Sequence, residues 1–230
     1  MIKAFLFDMD GVLYDSMPHH AEAWYATMHD RLGFECDRTH FYMMEGATGE
    51  QTIGDLFRRQ RGVEVTHDEA MRIYAEKSAA FVALGPATPM PGAAEVLRRV
   101  MALGLGRVLV TGSGQASLLE RLEADYPGAF SPDRMVTAHD TPAGRGKPHP
   151  DPYLLGLKKA GGLRPDEAVV VENAPLGVRA ARAAGIFTIA VNTGPLEPQV
   201  LYEAGANVVL SGMQELADRL DEIRMEYGLR

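Results

Sequence analysis

The sequence predicts an α/β fold: a doubly wound parallel sheet that carries an α-helical insert. Three observations point there. Short apolar, β-branched runs alternate with helical patterns along most of the chain, which is the pattern of βαβ units. The first run stops abruptly at an aspartate, and later runs stop at polar or small residues. Between residues 16 and 86 the alternation lapses, and only helical periodicity remains.

Taken in order, residues 2–7 are apolar without alternation, as a strand buried on both faces should be. Helical patterns follow at 19–32, 50–61 and 67–84, with no convincing strand among them. Gly85 and Pro86, then Pro89-Met-Pro-Gly92, form a breaker cluster that ends this stretch. The second half predicts helices at 93–103, 115–125, 152–160 and 176–184. Strands are predicted at 107–111, 135–137, 168–172 and 187–191, with an edge strand at 207–210. The expected organisation is one sheet domain, residues 1–15 and 87–230, interrupted by a helical domain, residues 16–86. Ligands of such sheets bind beyond the carboxyl ends of the strands, and an insert placed just after the first strand would lie over those ends as a lid.

The chain has 230 residues, enough for one α/β domain with a smaller insert. Its formal net charge is −8, which argues against nucleic acid as a partner, because phosphate backbones select basic patches. A small anionic substrate needs only a local positive site. Cys36 is the single cysteine, so no intramolecular disulfide can form, which suits a reducing compartment. No apolar run reaches the roughly 18 residues of a membrane span. A cytoplasmic monomer with no membrane association is the expectation.

The chemistry gathers at the predicted strand ends. Strand one runs into Asp8-Met-Asp10-Gly11, and strand two into Thr111-Gly-Ser-Gly114. Lys147 follows a glycine-rich loop, and strand four runs into Glu172-Asn173. Singly these read as a solvated turn, a turn signal, a surface lysine and a helix cap. Together, at the tips of a parallel sheet, they form a set suited to phosphoryl transfer. Asp8 would attack phosphorus, and Asp10 would protonate the leaving group and then activate water. Magnesium takes hard oxygen ligands, for which Asp8, Asp10, Glu172 and Asn173 are the candidates. Lys147 and Thr111 would meet the phosphoryl oxygens.

At this point the sequence resembles the haloacid dehalogenase superfamily over essentially its full length. Phe7-Asp8-Met-Asp10-Gly11-Val12 is similar to that superfamily's first motif, Thr111 to its second, Lys147 to its third and Glu172-Asn173 to its fourth. The resemblance implies a Rossmann-like core with an inserted α-helical cap domain of the β-phosphoglucomutase-like group, and an aspartate at position 10 is typical of the superfamily's phosphatases and mutases. Two departures stand out. Glu45 and Gly49 occupy loop positions where a mutase of this group carries a lysine and an arginine, and Asn173 stands where an aspartate is usual. This loop, the Met17–His20 entry and the run from Glu172 resemble inorganic pyrophosphatases of the superfamily. The resulting expectation is hydrolysis of pyrophosphate. Glu45 would act on the metal or its water, His20 and Lys77 would contact the distal phosphate, and Ser113 and Gln115 would line the pocket. The alternative expectation is a sugar-phosphate phosphatase or a β-phosphoglucomutase-like mutase.

Overall fold

Apolar strands at the centre of a sheet must be covered on both faces, and the computed structural model shows how this chain does it. Residues 1–113, 116–142 and 144–229 are described, Ala116 by its backbone alone. Six strands, all parallel, form one sheet in the order β5-β4-β1-β6-β7-β8. They are β1 (Ala4–Phe7), β4 (Gly106–Val110), β5 (Met135–Val136), β6 (Ala168–Glu172), β7 (Phe187–Val191) and β8 (Val208–Leu210). All four residues of β1 are buried. Period-two alternation divides them: Phe5 and Phe7 join one hydrophobic cluster with Leu109, Val169 and Val171, while Ala4 and Leu6 join another with Val108, Val110 and Val170. Helices α5 (Ala93–Ala102) and α10 (Met213–Glu226) contribute to the first cluster. Helices α7 (Asp151–Lys159) and α8 (Pro175–Ala183) contribute to the second. This is the doubly wound α/β architecture that the alternation predicts.

The helical segment comprises α1 (Met17–Tyr25), α2 (Arg38–Met43), α3 (Gly49–Arg61) and α4 (His67–Ala83). Its amphipathic faces enclose a cluster of their own, including Trp24, Met28, Phe41, Ile53, Phe57 and Ile73. The helix predicted at 19–32 begins earlier, at Met17, and its last turns, Ala26–Arg31, widen into a π-helix. α3 starts with a capping box: Thr48 Oγ1 accepts from Gln51 N, and Gln51 Oε1 accepts from Thr48 N at 2.8 Å.

Two linkers join the segment to the sheet, and they pair as a short antiparallel ribbon, β2 (Tyr14–Asp15) with β3 (Thr88–Pro89). Both are held by the end of α6 (Ala116–Asp125). Tyr14 Oη donates to Asp125 at 2.9 Å, Arg121 donates to the Ala87 carbonyl at 2.8 Å, and Tyr126 Oη donates to the Leu13 carbonyl. Among the described residues, no helix is long and apolar enough to cross a membrane.

Candidate active site

The parallel register turns sequence position into spatial position. β1 and β6 pair Phe7 with Val171, and the Asp8 amide donates to the Val171 carbonyl at 3.0 Å. Asp8 therefore emerges beside Glu172. On the other flank, β1 pairs with β4, which runs into Thr111. Gly11 turns the chain back at φ +77°, a conformation that favours glycine, and a Cβ there would strike the Asn173 amide.

Lys147 lies at the centre. Its ammonium donates to Asp8 Oδ1 at 2.5 Å, to Glu172 Oε1 at 2.6 Å and to the Val110 carbonyl at 3.1 Å. All three side chains are buried. Two carboxylates raise the affinity of Lys147 for its proton despite the cost of burial, so it stays charged. Burial pushes the Asp8 carboxyl up, to about 8; Lys147 opposes the shift, but it is shared, and the Glu172 and Asp10 charges add to it. A carboxylate nucleophile must be ionised, so this donor set calls for a further cation. One oxygen is placed for it: Asn173 Oδ1 is buried and has no hydrogen-bond partner.

Glu172 departs from expectation. Its Oε1 accepts from Lys147 and from Tyr153 Oη, at 2.6 Å each, and its Oε2 accepts from the amides of Asn173 and Ala174 at 3.0 and 3.3 Å. A carboxylate has about four accepting directions, and all four are used. Glu172 thus orients Lys147 and the turn into α8, rather than offering a free lone pair to an ion. Gly177 makes room for it, since a Cβ there would overlap the carboxylate.

Asp10 sits in a different network. Ser16 Oγ donates to its Oδ1 at 2.6 Å, His20 Nε2 lies 2.9 Å from the same oxygen, and Lys77 Nζ lies 2.6 Å from His20 Nδ1. A lysine ammonium can only donate, so with Lys77 charged His20 accepts at Nδ1 and carries its hydrogen on Nε2, toward Asp10. Burial alone would raise the Asp10 carboxyl, but His20, Ser16 and Lys77 outweigh it and hold it below its usual range. Burial and the Lys77 charge hold His20 down. Burial lowers Lys77 to about 7, with Asp10 opposing.

The helical segment closes over this floor. Asn173 Nδ2 donates to both oxygens of Glu45, and a Cβ at Gly112 would run into the Gly46 carbonyl. Burial, then repulsion from Asp8 and Asp10, raises the Glu45 carboxyl well above its ordinary value. The cavity between them, about 50 Å³ and partly open to solvent, is lined by Asp8, Asp10, Thr111 and Ser113 below and by His20, Glu45 and Lys77 above. The Ser113 amide donates to Thr111 Oγ1 at 2.9 Å, which fixes the start of the loop. The ten described residues singled out from the sequence for catalysis, substrate or metal meet around this one site. Gly114 and Gln115 lie outside the described residues.

Buried acids on β1 and β6, bridged by one lysine and roofed by helices inserted after β1, are the arrangement of a known hydrolase family. Its family model, described as haloacid dehalogenase-like hydrolase, matches residues 2–185. The chain belongs to the haloacid dehalogenase-like hydrolases. Hexitol phosphatase A of Escherichia coli is 32% identical over 93% of this chain and 93% of its own length. A phosphorylated carbohydrates phosphatase of Thermotoga maritima is 31% identical over 96% of this chain and its whole length. A solved structure from Bacteroides vulgatus, provisionally assigned as a beta-phosphoglucomutase, is 50% identical. It superposes with a TM-score of 0.92 over 97% of this chain and 89% of its own. The chain is accordingly a phosphatase of this haloacid dehalogenase-like type. These relatives do not support the pyrophosphatase specificity expected from the loop around Glu45; they favour the sugar-phosphate alternative.

One participant escaped the sequence. The Tyr153 hydroxyl on Glu172 had no signal, because a tyrosine in the first turn of a helix is unremarkable. Ser16, which with Asp15, His20 and Trp24 resembles the cap entry of the β-phosphoglucomutase-like group, takes its place on Asp10.

Proposed function

We propose that the protein is a magnesium-dependent phosphatase that works through an aspartyl-phosphate on Asp8, and that its substrate is a small phosphorylated carbohydrate or polyol. The observation that carries this reading is the pairing of two differently tuned aspartates in one cavity: Asp8 on Lys147, and Asp10 on the Ser16–His20–Lys77 chain.

In the first step an Asp8 oxygen attacks phosphorus, the bond from phosphorus to the leaving oxygen breaks, and Asp10 delivers a proton to that oxygen. In the second, Asp10 takes a proton from water, the water oxygen attacks phosphorus, and the Asp8–phosphorus bond breaks to release phosphate. A phosphoryl dianion next to Asp10 raises its proton affinity by like-charge repulsion, which offsets the lowering by His20, Ser16 and Lys77. Lys147 keeps Asp8 in place, and Thr111 stands beside it to meet a phosphoryl oxygen. Asp8 and Asn173 would hold magnesium, which, when bound, supplies positive charge to the phosphoryl oxygens and favours ionised Asp8. The helical segment serves as the cap that excludes water while a substrate is enclosed.

The carbohydrate class rests on the phosphatases to which the chain is similar. A second reading, pyrophosphate, is favoured by one observation: Glu45 closes the cavity from the helical segment as an acid on Asn173, where a basic clamp would suit a sugar bisphosphate.

The test is kcat/KM with magnesium for hexitol, hexose and glycerol phosphates against pyrophosphate. A phosphorylated carbohydrate or polyol leading by tenfold, about 1.4 kcal/mol in transition-state binding, supports the proposal. Pyrophosphate leading by as much transfers it to the second reading. No turnover of any of them overturns both.

A further inference from the structure

Gly49 opens α3, and its backbone has no need of glycine, since its φ is not in the left-handed region. What excludes a side chain is space. A Cβ on residue 49 would stand 2.6 Å from Cε2 and 2.8 Å from Cγ of Tyr74, well inside van der Waals contact. The Tyr74 ring, carried by α4, thus occupies the volume that any larger residue 49 would fill. It is also packed by its neighbours: Trp24 lies against it at 6.1 Å between centroids, and Trp24 itself stacks on Phe41 at 6.0 Å and 13°. Gly49, Tyr74, Trp24 and Phe41 all line the catalytic cavity.

The wall stands on the leaving-group side. The proton donor Asp10 must face the departing oxygen, and from Asp10 the contacts lead through His20 to Lys77. The Lys77 ammonium lies 5.8 Å from the centre of the Tyr74 ring and 5.2 Å from that of Trp24. A departing group therefore advances toward a rigid aromatic surface with one cation at its edge. The cavity between floor and wall is about 50 Å³ and partly open to solvent, so the wall bounds it on one side only.

We propose that the Gly49–Tyr74 contact sets the size of the leaving group, restricting the enzyme to phosphorylated substrates whose leaving part is compact, of about glycerol size, and rejecting six-carbon chains. This rests on the phosphatase reading above and narrows its substrate class. Tyr74 acts by volume and takes no part in the chemistry.

The test compares glycerol phosphate with a hexitol phosphate in the wild type and in Tyr74→Ala, Tyr74→Phe, Gly49→Ala and the double variant Gly49→Ala/Tyr74→Ala. The wild type should prefer glycerol phosphate. Tyr74→Ala should shift the ratio of the two kcat/KM values toward the hexitol ester by about tenfold or more, the scale on which a pocket discriminates by a methylene or two. Tyr74→Phe, which keeps the ring, should leave the ratio unchanged. Gly49→Ala should lower turnover of both esters, and removing the ring in the double variant should restore it. A structural defect would move both substrates by the same factor and would not be rescued. An equal loss on both substrates in Tyr74→Ala, or a wild type indifferent to chain length, overturns the proposal. If the wild type hydrolyses neither ester, the phosphatase reading fails separately. The same ratio is then read as affinities by calorimetry in an Asp8→Asn background, where an unchanged ratio with Tyr74→Ala overturns the wall as well.

Discussion

Asn173 latches Glu45, its side-chain nitrogen standing 3.0 and 2.9 Å from the two carboxylate oxygens. One partner belongs to the tip of β6 and the other to the loop before α3, so a single amide ties the helical segment to the sheet directly above Asp8. The same amide leaves its own oxygen unpaired and buried. Asn173 thus has two jobs available to its two ends: the nitrogen holds the roof, and the oxygen is left free to meet a cation.

Glu45→Ala should remove the latch and a negative group from the roof. We expect kcat/KM for pyrophosphate to fall by about tenfold or more, from the low end upward of what a lost charged hydrogen bond costs, and that for an organic phosphomonoester to fall less. Glu45→Gln, which keeps one accepting oxygen, should lie between wild type and Ala. Equal losses on both substrates would leave Glu45 with a structural part only.

Asp8→Asn should abolish turnover, to below a few per cent, and at the same time stabilise the metal-free protein. The sign follows from the raised Asp8 carboxyl, about 8 in the fold against 3.8 ordinarily. An acid raised on folding binds its proton more tightly in the native state. Its favourable contribution is present below pH 4 and is lost as pH rises through about 8. Asparagine cannot ionise, so thermal unfolding in the presence of a chelator should show a higher Tm for the variant at pH 8 and a smaller difference at pH 5. No gain in Tm at pH 8 would mean that Lys147 already compensates Asp8 in full.

Much of this site was legible because parallel strands convert order along the chain into neighbours in space. Asp8, Thr111 and Glu172 each follow an apolar run, and a sheet of such runs brings their ends together whatever the connecting helices do. Asn173 and Asp10 follow from the same logic. Direction was harder to read than place. Glu172 was expected among the metal ligands, yet its oxygens turn to Lys147, Tyr153 and two amides, an outcome set by side-chain torsions and by the gap at Gly177. The ribbon of β2 and β3 is two residues on each side, too short for any periodicity, and α2 has six residues, less than two turns. The aromatic wall could not be read because Gly49 and Tyr74 lie on different helices with no periodic relation.

The linker clamp should matter for stability more than for chemistry. Tyr14→Phe removes one part-buried hydrogen bond to Asp125, and Arg121→Ala removes the donor to the Ala87 carbonyl. Each should cost about 1 kcal/mol, a fall in Tm of roughly 2–4 °C for a chain of this length. Because both partners sit outside the cavity, kcat for a good substrate should stay within about twofold. A loss of activity much larger than the loss of stability would show instead that the linkers set the closure of the helical segment.

Lys77 supplies the clearest pH dependence. Burial lowers it to about 7, with Asp10 opposing, so near neutrality it exchanges its proton. Below pH 7 the ammonium is charged and adds a cation to the roof of the cavity; as pH rises through 7 that charge is lost. An anionic substrate should therefore bind less well on the alkaline side, with KM rising across pH 7 more steeply than kcat changes. Lys77→Met keeps the length and apolar stem but cannot titrate, so its KM should be high throughout and flat over the same interval. Stability moves in the opposite sense. Between about 7 and the ordinary lysine value of 10.5 the unfolded chain binds more protons than the folded one, so the fold gains stability as pH rises through that window. Lys77→Met should remove this slope and raise Tm at pH 7. A wild-type KM that is level from pH 6 to 8 would show that Lys77 holds its proton through the cycle. The cation would then be permanent, and its part would be to orient His20 on Asp10.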